Sequence, residues 1–236
     1  MFDLYGMSSP NVLKIMLLLE ELGADYRILT VNLLTGEQFE ERFERLNPMR
    51  KVPVLIDPDG PGGEAATIFE SAAILLYLAE KYGRFMPSDR LAKYDVLQWL
   101  MVEAASAGPL LGQLNHFLRF APDNEYALGR YRTLSWRAYD MFDQRLRDRD
   151  YMGGGAYSIA DMAAYPWVEM FYEFHGMDRS EHPNLARWRA SLNERSAVAR
   201  ALARYRELSA ADPTFSKAPS PEQLDLVLGR GKFARL

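Results

Sequence analysis

The sequence predicts an α/β domain followed by an all-helical domain, and three observations carry that expectation. Within the first eighty or so residues the apolar pattern changes period in the order β-α-β-α-β-β-α. From Arg90 onward only helical patterns appear, as in Lys93 to Glu103 and Tyr126 to Arg149. Between the two regimes, Pro87-Ser88-Asp89 interrupts both periods. A β-α-β unit continued by a hairpin and a last helix suits a mixed sheet covered by helices. The expected divisions are residues 1–84, residues 90–205 and a tail, 206–236.

Phe2-Asp3-Leu4-Tyr5 is a first strand, and Gly6 to Asn11 leads into a helix. Ser9 is placed to cap that helix, with Pro10 at its first position, where a missing N–H costs nothing. Val12, Ile15, Met16 and Leu19 recur at helical spacing, and Gly23 supplies the stop. Tyr26 to Val31 is a second strand, and the Glu-rich stretch from Gly36 to Leu46 is expected to be one helix. A loop from Asn47 to Lys51 reaches the Val52-Pro53 bond and a strand through Asp57. The Asp57 to Gly63 stretch is a turn, and Thr67-Ile68-Phe69 resumes as a strand. Ser71 is expected to cap a helix carrying Ile74, Leu75, Leu78 and Tyr82. After Arg206 the chain becomes Pro- and Ser-bearing through Pro213 to Pro219. Leu224 to Leu228 then reads as a short helix that packs back on the body.

Composition narrows the function classes. With 48% apolar and 25% charged residues, the 236-residue chain is an ordinary globular protein. A net charge of -4 gives no electrostatic reason to expect nucleic acid or an anionic membrane as partner. No stretch approaches the roughly 18 apolar residues of a membrane span, and Met1 to Tyr5 lacks the basic start of a signal peptide. There is no cysteine, so disulfides, thiolate metal sites and cysteine nucleophiles are excluded. His116, His175 and His182 have no helical zinc spacing. A cytoplasmic, metal-free protein is expected.

Three patches of the first domain carry chemistry. At Ser8-Ser9-Pro10-Asn11, a helix N-terminus with hydroxyl and amide donors favours an anion such as a thiolate, although Ser9 as a plain cap fits the local sequence equally. In thioredoxin-like folds a redox cysteine sits at this entrance; here the thiol would have to arrive on a small molecule. At Lys51-Val52-Pro53, a cis peptide bond would free the preceding backbone for a peptide ligand, while a trans bond would simply begin an edge strand. At Glu70-Ser71, an acid beside a helix N-terminus suits both the ammonium and the carboxylate of an amino-acid end group. Thiol, peptide and amino-acid end groups are the three features of glutathione.

Asn47-Pro48, Lys51-Val52-Pro53-Val54-Leu55 and Phe69-Glu70-Ser71-Ala72-Ala73-Ile74 together resemble the glutathione-site signature of cytosolic glutathione transferases. Ser158-Ile159-Ala160-Asp161, an N-capping box, resembles the structural cap of that family's core helix. The finer resemblance, through Ser9-Pro10-Asn11, Gln38, Leu97-Gln98-Trp99-Leu100 and Gly108 to Gln113, is to the bacterial Nu class, related to the yeast nitrogen-regulator prion protein. The resemblance implies a thioredoxin-like domain plus an all-α domain, with glutathione as co-substrate. It implies Ser9 and Asn11 at the glutathione sulfur; a likeness of Ser8-Ser9-Pro10 to the insect Delta class puts Ser8 there instead. Tyr5 matches the tyrosine of the mammalian classes, but as a strand residue it is expected in the core. Gln38, Lys51, Val52, Pro53, Glu70 and Ser71 would bind the remainder of glutathione, with Arg130 entering from a second subunit of a homodimer. Taken alone, Arg130 is a charge on a helix face. The implied chemistry is attack of the glutathione thiolate on a small electrophile or a disulfide, with a non-catalytic scaffold of the same fold as the alternative.

Overall fold

The computed structural model describes residues 1–212, 214 and 219–233. Pro213 and residues 215–218 of the expected Pro- and Ser-bearing tail lie outside the described residues. The chain divides into two compact units, Met1–Ile74 with the chain from Arg200 on, and Leu75–Ala199.

The first unit is built on a four-stranded sheet of order β2-β1-β3-β4, with β1 (Phe2–Gly6), β2 (Tyr26–Thr30), β3 (Val54–Asp57) and β4 (Ala66–Phe69). β1 and β2 are parallel, joined by the crossover helix α1 (Pro10–Leu22), while β3 runs antiparallel to both β1 and β4. The C-terminal ends of β1, β2 and β4 and the N-terminal end of β3 therefore lie together at one end of the sheet. Every residue from Val12 to Leu19 is buried, Lys14 included, so α1 is covered on all sides. Gly23, in the left-handed region at φ 65°, closes it as expected.

The expected helix from Gly36 to Leu46 is instead two short pieces. A 3-10 turn covers Glu37–Phe39 and α2 covers Glu41–Glu44, divided at Glu40, whose backbone is extended. No Gly or Pro marks that break; Phe43 is drawn into a core cluster with Val31 and Val54, against which Tyr5 and Leu46 also pack. Tyr5 is thus a packing residue, 6.2 Å from the Phe43 ring. α3 (Ser71–Tyr82) follows β4 directly.

α9 (Ser196–Ala211) returns the chain to the first unit. Arg200 and Arg204 grip Glu20 near the C-terminal end of α1, and the Arg204 guanidinium lies 3.8 Å over the Tyr26 ring. α10 (Pro221–Leu228) then docks beside the 3-10 turn, as the apolar Leu224 to Leu228 pattern anticipates. The Leu226 side chain meets Gly36, and Phe233 stacks on Phe39 at 5.5 Å. The tail expected from 206 is thus helical through Ala211 and belongs with the first unit.

The second unit is helical, with α4 (Arg90–Val102), a π turn (Glu103–Ala107), α5 (Gly108–Phe120), α6 (Glu125–Leu146), α7 (Ile159–Phe171) and α8 (Pro183–Asn193). Asp89 and Asn124 cap α4 and α6 through their side chains. The Ser158/Asp161 box forms as expected, and α7 is its most buried helix. The division into units falls within α3, between Ile74 and Leu75.

Candidate functional site

The topology assembles the site. The loops leaving β1, β2 and β4, and the loop entering β3, emerge at the same end of the sheet. They carry Ser8 to Asn11, Gln38, Glu70-Ser71 and Lys51-Val52-Pro53 respectively. α1 and α3 both begin there, so two sets of unpaired helix N–H groups add positive character to that end.

Ser9 has the extended backbone of an N-cap, and its Oγ accepts from the Val12 N–H at 3.3 Å. The Ser9 hydroxyl proton is given to no described residue, and neither the Asn11 carboxamide nor its N–H donors are engaged by a described side chain. Both residues are half-buried. Ser8 differs. Its N–H and its O–H both donate to Asp212 Oδ2, at 2.8 and 2.7 Å, and the pair is buried.

The Val52-Pro53 bond is cis. Val52 is half-buried, takes part in none of the loop hydrogen bonds, and lies beside Lys51, whose carbonyl is held by Asn47 Nδ2 at 2.7 Å. Glu70 is exposed and adopts φ 70°, a left-handed conformation rare for an acid. Its carbonyl accepts the first helical N–H of α3, from Ile74. Glu70 is therefore the cap, and Ser71 is the first residue inside the helix rather than the cap expected from sequence. Ser71 Oγ instead accepts from Lys14 Nζ at 3.5 Å, which leaves its own proton for a ligand. Lys14 is 2% exposed. The sequence held a signal for it, a lysine inside the apolar run Val12 to Leu19, that the motif reading passed over.

Gln38 is 4% exposed beneath α10. Its Nε2 donates to the Leu226 carbonyl at 3.0 Å, while Oε1 has no hydrogen-bond partner among the described residues. Arg130 belongs to the second unit, on the exposed face of α6 beside Tyr126 and Thr133, and pairs with no described side chain. Among the described residues, no group of three or more His, Cys, Asp or Glu is placed to hold a metal ion, and no helix is long and apolar enough to cross a membrane.

The family models for the glutathione S-transferase N-terminal domain and C-terminal domain match residues 8–81 and 123–196. The disulfide-bond oxidoreductase YfcG of Escherichia coli strain K12 is 40% identical over 204 residues, 86% of this chain and 94% of that protein. The chain belongs to the cytosolic glutathione transferase family. Solved structures agree with the assignment of this transferase. A glutathione transferase from Burkholderia graminis, with two glutathione molecules bound per subunit, superposes with a TM-score of 0.81 at 38% identity, covering 85% of this chain and 87% of that one. Ure2p in complex with glutathione gives 0.79 at 28% identity, covering 85% and 97%. The transferase is an enzyme of this family without a cysteine of its own.

Proposed function

We propose that the transferase binds glutathione at the shared end of its sheet, activates the thiolate at the entrance of α1 through Ser9 and Asn11, and uses it to reduce disulfide bonds. The observation that carries this reading is the contrast between the serines. Ser9 faces a helix N-terminus with an uncommitted hydroxyl proton, whereas the Ser8 proton is directed at a carboxylate.

The magnitudes suffice. An alkyl thiol ionises near a pKa of about 8.5, and lowering that by about two units takes roughly 2.7 kcal/mol. A hydrogen bond to a charged acceptor contributes about 1.5–3 kcal/mol, and a helix terminus about 0.3–1 kcal/mol more. No general base is required. Lys51 contacts the glycyl end, the Val52 backbone before Pro53 the cysteinyl peptide, and Glu70 and Ser71 the γ-glutamyl end; Gln38, covered by α10 with its Nε2 given to Leu226, joins them only once that helix shifts. Lys14 behind Ser71 reinforces the last of these.

In the disulfide reaction the thiolate attacks one sulfur, forming a mixed disulfide and releasing a thiolate that takes up a proton. A second glutathione thiolate then resolves the mixed disulfide, giving glutathione disulfide and the second thiol. The name of YfcG and the two glutathione molecules held by the Burkholderia relative support this stoichiometry. Cytoplasmic residence fits the demand for reduced glutathione. A homodimer in which a second copy supplies its Arg130 fits the exposed apolar residues Leu91, Tyr94 and Met101 along α4.

The test is the thiol pKa of bound glutathione, read from thiolate absorbance against pH. The wild type is expected at least one unit below free glutathione, and Ser9→Ala with Asn11→Ala is expected to restore the free value. Turnover of a small disulfide should fall in parallel. Binding with an unshifted thiol would instead favour a carrier or scaffold of the same fold.

A further inference from the structure

The C-terminal family match ends at residue 196, yet the chain beyond it returns to the entrance of α1. We propose that Asp212 is a positioning residue of the thiol site, holding Ser8 so that its hydroxyl proton is turned away from the sulfur and leaving Ser9 as the donor. The proposal rests on the reading of the α1 entrance as the thiolate site.

A serine hydroxyl has one proton. In Ser8 that proton is directed at Asp212 Oδ2, which also takes the Ser8 N–H. The other oxygen, Oδ1, accepts the Thr214 N–H at 2.8 Å, so the carboxylate is fixed from both sides and its orientation is not free. Burial works against the charged form of Asp212, but the hydrogen bonds from Thr214 and Ser8 outweigh it and hold the carboxyl below its ordinary range. At neutral pH the group is therefore an acceptor only, and it pins the Ser8 proton.

The charge of Asp212 has a second effect. Among the described residues no lysine or arginine pairs with it. On α1, Lys14 is directed at Ser71; on α9, Arg200 and Arg204 are held by Glu20; after α10, Arg230 is held by Asp225. An acid with no ion-pair partner among the described residues, in contact with the residue before Ser9, disfavours a second anion at the same helix entrance. Asp212 thus selects the donor and also limits how far the thiol pKa falls.

Asp212→Asn removes the charge while keeping the size of the side chain. The expected result is a thiol pKa for bound glutathione lower by about half a unit, roughly threefold more thiolate at a pH where the thiol predominates. A role confined to packing predicts a lower melting temperature with the thiol pKa unchanged. An unchanged or raised pKa in a variant that still binds glutathione overturns the proposal. Ser8→Ala provides a measurement that does not depend on Asp212→Asn folding. Its thiol pKa should match the wild type, and a rise of a unit would place Ser8 on the sulfur and sink the idea. Failure of the broader functional reading looks different, with no thiol shift in the wild type or none lost in Ser9→Ala.

Discussion

At the residue scale, Asp161 shows how much one buried side chain organises. Its Oδ1 accepts from the Met152 N–H at 2.7 Å and from Trp188 Nε1 at 2.9 Å. Its Oδ2 accepts from the Ser158 N–H and hydroxyl at 2.9 and 3.0 Å. Four donors converge on one carboxylate, although burial still raises its pKa to about 6. An amide at this position turns one acceptor into a donor facing donors. Asp161→Asn is expected to cost about 3–5 kcal/mol, because partners are left unpaired in the interior. In a chain of this size that lowers the melting temperature by about 10 °C, which a thermal scan would read. A shift under 2 °C would mean that the network tolerates the swap. The Ser158-to-Asp161 spacing was legible in the sequence because the box is local, within four consecutive residues. The convergence of Met152 and Trp188 on it was not, since that depends on packing across elements.

At the element scale, the sequence announces α1 well, because cap, apolar period and stop all lie within the segment; of α10 it announces the apolar stretch Leu224 to Leu228, while the helix begins at Pro221. It announces poorly the stretch from Gly36 to Leu46, where the break at Glu40 answers to the burial of Phe43 and not to a local signal. Nor does it reveal where α10 docks, or that Ser71 faces Lys14, since both are contacts over long sequence separations. The residue types of the site were legible from their motif, and their common location follows from strand directions alone. The different hydrogen bonding of Ser8 and Ser9 was not legible, because the two look alike until Asp212 is placed. The seat of α10 on Gly36 yields its own prediction. Gly36 adopts φ 81°, and a Cβ there would meet Leu226 Cδ2 at 2.9 Å. Gly36→Ala is expected to loosen α10, speeding amide hydrogen exchange across residues 221–228 by about tenfold, which corresponds to ~1.4 kcal/mol. Exchange in α7 should not change. Unaltered protection of α10 would show that Phe233 on Phe39 is anchor enough.

At the scale of the whole molecule, acid stability follows from two buried groups with opposite signs. His175 is 4% exposed, with its Nδ1 2.9 Å from the Tyr139 hydroxyl. Burial, with Arg119 as a smaller contributor, lowers its pKa to about 4. The unfolded chain binds that proton near a pKa of about 6.5, so stability is lost as the pH falls from there toward 4, by about 3 kcal/mol in full. Asp161 acts the other way, since its raised folded pKa favours proton uptake by the folded chain over the window below about 6. Replacing the histidine isolates its share. The stability difference between wild type and His175→Gln, measured by urea unfolding, is expected to shrink by about 3 kcal/mol from pH 7 to pH 4. A difference that stays constant with pH would show that His175 is not held neutral. The return of the chain onto its first unit also bears on the order of synthesis. Ser8 and its partner Asp212 are separated by 204 positions, so at roughly 5–20 residues per second a ribosome makes Asp212 about 10–40 s after Ser8. Until then the α1 entrance emerges without its last hydrogen bonds, and a nascent chain cannot finish its first unit before Asp212 has been added.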